Sequence, residues 1–218
     1  MIQVVSSVGM KAALEKMRLE GCEFSFGTGA ALKRALDAGL DCDVAILFPE
    51  MLEDMVGKGK IAAASILAVA KSCLALGVRA GAPKPDIGSI EALRATLRAA
   101  KSIAYSLEGK SGVLMAGVVE RLGLAQELAP KTLRETRPGG AAFNLAEGKA
   151  QLAFTIAAEI VPVAGAELAG FLPAGVRQCV TFAAGIAPGA GAQAAALVDR
   201  LRSPQAAGIY QSCGLELP

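Results

Sequence analysis

Histidine and tryptophan are absent from this 218-residue chain, and tyrosine occurs only twice. Without histidine, the usual base of serine and cysteine nucleophile schemes is missing, and so is every His-ligated metal site. With few aromatics, and with Lys and Arg interspersed among Asp and Glu, there is no basic, aromatic-laced stripe, so nucleic acid is not an expected partner. The five cysteines (22, 42, 73, 179 and 213) are odd in number and widely spaced, with no C-x-x-C pair. They read as reduced thiols in or near the core, and neither a metal nor a cofactor is expected. Long apolar runs are lacking too. The most apolar stretch, 61–76, is broken by Lys71 and Ser72 and is too short to span a bilayer, so no membrane insertion is expected. Met1 leads into IQVV with no basic or apolar leader region, which predicts a cytoplasmic protein, or a periplasmic one if the N-terminus was trimmed.

What is present is an apolar fraction of 53%, mostly Ala, Leu and Val, beside 25 glycines and a net charge of +2. That balance suits helices packed on a largely parallel sheet, in one large domain or two small ones. The organising stretch is 22–40, CEFSFGTGAALKRALDAGL. It predicts a short strand, a Gly27-Thr28-Gly29 turn, and a helix with Leu32, Ala35, Leu36 and Leu40 on one face. Thr28 is placed to cap that helix. A strand that ends in small residues and opens a helix leaves unpaired N–H groups at a positive dipole end, a natural anion pocket.

Four such junctions are predicted. The first follows strand 2–5 at Ser6-Ser7, ahead of a helix over 9–19. The second carries Thr28 and Gly29. The third follows strand 102–105, with Ser111 and Gly112 opening a helix over 113–122. The fourth follows a strand in LRETR, with Gly139 and Gly140 opening the helix AAFNLAEGKA. Between them the pattern predicts a buried strand at 43–48, a helix from Pro49, a strand pair over 65–79, a helix at 89–100 and a buried strand at 151–156. A last short strand in AELAGFLPAG, a long strand over 178–187 and two C-terminal helices complete the chain. The stretches CLALGVRAGAP and QCVTFAAGIAP mirror one another and read as two strands crossing between lobes. Lobe one is expected to hold 1–77 and 183–218, and lobe two 78–182.

In this order the stretches VVSSVGMKAAL, FSFGTGAALKRALDAGLDCDVAILF, LGVRAGAPKPDIGSIEALRATLRAAKSIAYS, SGVLMAGVVERLGL, PGGAAFNLAEGKAQLAF and SPQAAGIYQSCGLEL resemble the molybdate-binding (ModA-like) family of transporter solute-binding proteins. The resemblance covers nearly the whole chain. It implies an α/β, two-lobe type II periplasmic-binding-protein fold, each lobe a mostly parallel sheet flanked by helices, joined by two crossing strands. It also implies a small anionic ligand, a molybdate-like oxyanion or small organic acid, captured in the interlobe cleft by domain closure, with an ABC transporter permease as a partner. Carried over position by position, the ligand donors are Ser6, Ser7, Thr28, Gly29, Ser111, Gly112, Gly139 and Gly140. Lys110 and Arg137 flank two junctions and are candidate carboxylate anchors.

Three departures stand out. Where molybdate binders place a Tyr after the strand QLAF, this chain has Thr155, Ile156 and Ala157, so the Tyr hydroxyl donor is missing. The first helix is about ten residues shorter than the family pattern implies. The export signal of the relatives is not seen, which fits a cytosolic sensor or carrier. The competing class is a cytosolic isomerase or lyase acting on a small organic acid, with Glu159, Asp43 and Tyr105 as its titratable candidates. A regulatory effector module would need a DNA-binding element, and no such element is seen.

Overall fold

The computed structural model describes residues 1–106, 109–137 and 139–218. Leu107 and Glu108 of the expected third-junction loop, and Pro138 of the fourth turn, lie outside the described residues. The chain divides into two compact units, Met1–Lys71 with Thr181–Pro218, and Ser72–Val180.

The first unit begins with strand β1 (Ile2–Ser7), helix α1 (Lys11–Lys16), β2 (Cys22–Gly27), α2 (Gly29–Asp37), β3 (Val44–Leu47) and α3 (Pro49–Gly57). Strand β4 (Leu67–Arg79) then carries the chain into the second unit. That unit holds α4 (Ile90–Ala99), β5 (Ile103–Ser106), α5 (Lys110–Arg121), α6 (Ala125–Leu128), β6 (Thr132–Glu135), α7 (Gly140–Ala146), β7 (Leu152–Ile156), α8 (Ala157–Ile160) and β8 (Ala166–Phe171). Strand β9 (Cys179–Ile186) returns to the first unit, which closes with α9 (Ala192–Leu201) and α10 (Pro204–Gln211).

In the first unit, β1 pairs in parallel with both β2 and β3, and β9 runs antiparallel along β3. All four residues of β3 are buried, as expected for an apolar strand flanked on both edges and covered on both faces. Its core joins Val5, Ala45 and Leu47 of the sheet to Leu32 and Leu36 of α2 and Leu52 and Met55 of α3. Gly185 has no room for a side chain: a Cβ there would lie 2.7 Å from Ile61 Cγ2 and 3.3 Å from Leu52 Cδ2. In the second unit, β5 pairs in parallel with β6 and β7, while β4 runs antiparallel to β7 and β8. Alanines 104, 141, 150 and 153 with Leu145 let α7 seat closely on β5 and β7.

Three expectations are corrected. The first helix is split into a 3-10 turn at Val8–Met10 and α1, which ends at Lys16. Beyond it the chain turns into β2 through Arg18 and Gly21, both at positive φ. The strand pair expected over 65–79 is a single strand of 13 residues, β4. It runs without a turn because Leu74 to Arg79 stay paired with β7 and β8, and Lys71 bridges to Glu216. Finally, Cys73 and Cys179 are joined in a disulfide, leaving Cys22, Cys42 and Cys213 as free thiols. Among the described residues, no helix is long and apolar enough to cross a membrane.

Candidate functional site

Because β1, β2 and β3 are parallel and in close register (Ser7 beside Gly27, Ser6 beside Ile46), their C-terminal ends lie side by side. Each end passes directly into a helix or helical turn. Ligands of parallel α/β sheets gather at this edge, where helix N-termini converge. Ser6 and Ser7 are both buried, and the Ser6 hydroxyl donates to the Ser7 carbonyl at 3.3 Å. Ser7 precedes the 3-10 turn without capping it through its side chain. Thr28, in extended backbone, accepts from the Ala31 N–H at 3.2 Å and so caps α2 as expected. The same hydroxyl still has its own proton to donate. Gly29 is needed for close approach: a Cβ there would meet Phe48 Cε2 and Met51 Sδ, each at 3.3 Å.

The second unit repeats the arrangement with β5, β6 and β7. Gly109, at φ 125°, turns the chain into the twelve-residue α5, a conformation open to glycine and strained for other residues. Ser111 and Gly112 are buried in the first turn of α5. The Ser111 hydroxyl donates to Glu159 Oε2 at 3.4 Å, and Thr155 Oγ1 donates to the same oxygen. Glu159 stands in the first turn of α8, whose Ala158 N–H is capped by the buried Ser72 hydroxyl at 3.0 Å. Burial pushes the Glu159 carboxyl above its ordinary pKa, and the Thr155 and Ser111 hydroxyls only partly offset this. At this position a protonated carboxyl is itself a hydrogen-bond donor. It lies four residues after Thr155 of β7, near the place where the family pattern has a tyrosine.

The sign of that shift fixes a stability prediction. The folded chain holds the Glu159 proton to higher pH than the unfolded chain does. The contribution of this carboxyl is therefore complete below the unfolded value and is lost as pH rises through the folded one. Glu159→Gln removes that loss. Thermal melts from pH 4 to 8 should show the variant gaining on the wild type as pH rises; parallel curves would contradict the assignment.

The fourth junction is filled by the chain's own charges. Gly139 is left-handed, at φ 67°, and the Glu135 side chain lies against Gly140, where a Cβ would come within 2.1 Å of its Cγ. Glu135 accepts from Arg137 Nη2 at 2.8 Å, Arg137 Nε at 3.0 Å and Asn144 Nδ2 at 3.0 Å. Hydrogen bonds from the Arg137 guanidinium, then from its backbone N–H, hold the Glu135 carboxyl down at about 2. Arg137 also reaches Glu147 at 3.5 Å, so this expected carboxylate anchor is already engaged.

Of the other titratable candidates, Asp43 is remote from these junctions. It precedes β3 and accepts the Gln3 N–H at 2.8 Å, at the opposite edge of the sheet. A cavity of about 430 Å³ opens there, lined by Leu40, Cys42, Asp43, Lys60 and Pro188 among others. Its thiol is a poor nucleophile, since burial and then Asp43 and Asp41 push Cys42 up to about 11. Tyr210 is a packing residue, fully buried, donating to the Leu201 carbonyl at 2.9 Å. Sequence reasoning missed Ser72 and Glu135; a serine inside the apolar run of β4 was the one available signal for the former.

Parallel strands whose ends open hydroxyl-bearing helix starts, repeated in two units joined by crossing strands, define the type II periplasmic-binding-protein fold. Residues 2–216 match the family model described as bacterial extracellular solute-binding protein. The chain belongs to that family. Among solved structures, it is similar to the periplasmic molybdate-binding protein of Azotobacter vinelandii, with a TM-score of 0.80 and 21% identity over 100% of both chains. It is also similar to the substrate-binding domain of a putative molybdenum ABC transporter from Clostridium difficile, with a TM-score of 0.78, 15% identity, and 100% and 98% of the two chains covered. A curated relative from a Pseudomonas species, an aconitate isomerase, is 30% identical over 219 residues, spanning 99% of this chain and 82% of its own length.

Proposed function

We propose that this solute-binding-family chain captures a small anion at the helix starts bearing Ser6 and Ser7, Thr28 and Gly29, and Ser111 and Gly112. One observation carries the reading: in the first unit the adjacent parallel strands β1 and β2 end together in helix starts with buried or capping hydroxyls, and in the second β5 leads to a helix start with the buried Ser111. Such donors stabilise an anion through preorganised neutral hydrogen bonds. Gly139 and Gly140 contribute less, because Glu135 already occupies their turn. Ligand capture by closure of the two lobes over a cleft, and delivery to an ABC transporter permease, belong to the same proposal. The Cys73–Cys179 bond favours an oxidising compartment over the cytosol.

A small organic acid is the preferred ligand class over molybdate, because the tyrosine donor is replaced by Thr155 and a carboxyl. Ser111→Ala and Thr28→Ala should each weaken binding by roughly 1–3 kcal/mol, the cost of leaving a buried acceptor unpaired. Calorimetric titration with the best ligand measures this, and unchanged affinity in both variants would remove these positions from the site. A second reading, isomerisation of a small unsaturated organic acid, is favoured by the enclosed Glu159 cluster and by the relative named aconitate isomerase.

A further inference from the structure

We infer that Glu159, held by Thr155 and Ser111, moves the proton when a small unsaturated polycarboxylate is isomerised; the inference rests on the isomerase reading above. Shifting a double bond beside carboxylates is a proton relocation. A base breaks a C–H bond on the carbon next to a carboxylate. The electron pair is spread over the allylic system and its carboxylate, and the proton is returned to the far carbon of that system. Bonds and charges balance without oxidant, reductant or metal. The reaction asks for one group that accepts and then returns a proton in an enclosed site, and for donors that bear the charge developing on the carboxylate.

The second unit supplies both within a few residues. Glu159 Oε2 is met by two hydroxyls, Ser111 from α5 and Thr155 from β7, and the start of α8 is fixed by Ser72 from β4. Two different elements thus hold one carboxyl, and a third fixes the backbone beside it. Ser111 also opens the twelve-residue α5, whose first-turn N–H groups face an anion well. The alternatives are weak. The chain has no histidine, Asp43 lies at the opposite strand edge of the other unit, and burial raises the Cys22 and Cys42 thiols. Glu135 is held as a carboxylate by Arg137 and Asn144, which leaves it a poor proton carrier. Burial raises the Glu159 carboxyl above its ordinary range, which makes it a stronger base than an exposed carboxylate.

The test uses the full chain in D2O with cis-aconitate as probe, followed by NMR for isomer interconversion and for deuterium entering the substrate methylene. Binding of the same probe is measured by calorimetry, and folding by thermal melts. The wild type should interconvert the isomers and incorporate deuterium. Glu159→Gln should lose both by roughly a hundredfold or more while binding within a few-fold of wild type. Glu159→Asp, which keeps the acid but shortens its reach, should retain part of the exchange and guards against a folding defect in the amide variant. Exchange within tenfold of wild type in Glu159→Gln overturns the assignment and leaves the isomerase reading standing. Loss of binding together with exchange overturns it as well, making Glu159 a ligand contact. A wild type that binds the probe without exchange or interconversion overturns the isomerase reading itself, and this inference with it.

Discussion

Removing the Cys73–Cys179 bond should lower the unfolding free energy by roughly 2–4 kcal/mol, by reduction or by the double substitution Cys73→Ala with Cys179→Ala. The bond closes a loop spanning 106 residues of sequence, so the unfolded chain gains much freedom when it is cut. The loop comprises nearly all of the second unit, and the loss should therefore appear in the transition of that unit. Urea unfolding with and without reductant measures it. Thiol titration of the unfolded, unreduced protein should count the three free cysteines, Cys22, Cys42 and Cys213. Five reactive thiols with no change in stability would contradict the bond.

Phe182→Ala should be costlier still, about 3–5 kcal/mol, because a fully buried ring is replaced by a cavity. The effect reaches the site. Phe182 of β9 packs at a tilt against Phe48, with ring centroids 5.6 Å apart, and Phe48 is the ring that Gly29 approaches. A void beneath Phe48 releases the wall of the Thr28–Gly29 helix start, so ligand affinity should fall along with the melting midpoint. Phe182→Leu, which refills most of the volume, should recover most of both. An alanine variant as stable as wild type would show that the ring is not part of a packed core.

Much of the architecture was legible because the periodic signals were clean. Continuous apolar runs such as VAIL gave buried parallel strands, and Thr28 marked a helix start that its hydroxyl does cap. The two-lobe α/β layout followed from the order of those elements, and the type II fold from the family resemblance of the stretches that carry them. Local signals failed where the structure depends on contacts distant in sequence. Strand β4 continues past the expected break because two partner strands from later in the chain pair with it. The disulfide joins residues whose nearness depends on the whole topology, although both cysteines open the two mirrored stretches, a signal open to being read as a pair. The chemistry around Glu159 was partly legible as a titratable candidate near the departure at Thr155. That Thr155 and Ser111 converge on it, with Ser72 capping the neighbouring Ala158 N–H, came only from the assembled second unit. Glu135 was hidden for a simpler reason: an acidic residue in a short strand looks solvated until Gly140 leaves it a place to lie.

The central claim, that the hydroxyl-bearing helix starts bind a small anion, is tested most directly by a thermal-shift screen of the full chain. The panel holds molybdate, sulfate, phosphate and small mono-, di- and tricarboxylates. A ligand at ~100 times its dissociation constant adds about 2.7 kcal/mol to folding stability and raises the midpoint visibly. The account predicts such a rise with a small carboxylate, reduced in the Ser111→Ala and Thr28→Ala variants. A panel in which no anion moves the midpoint would contradict it.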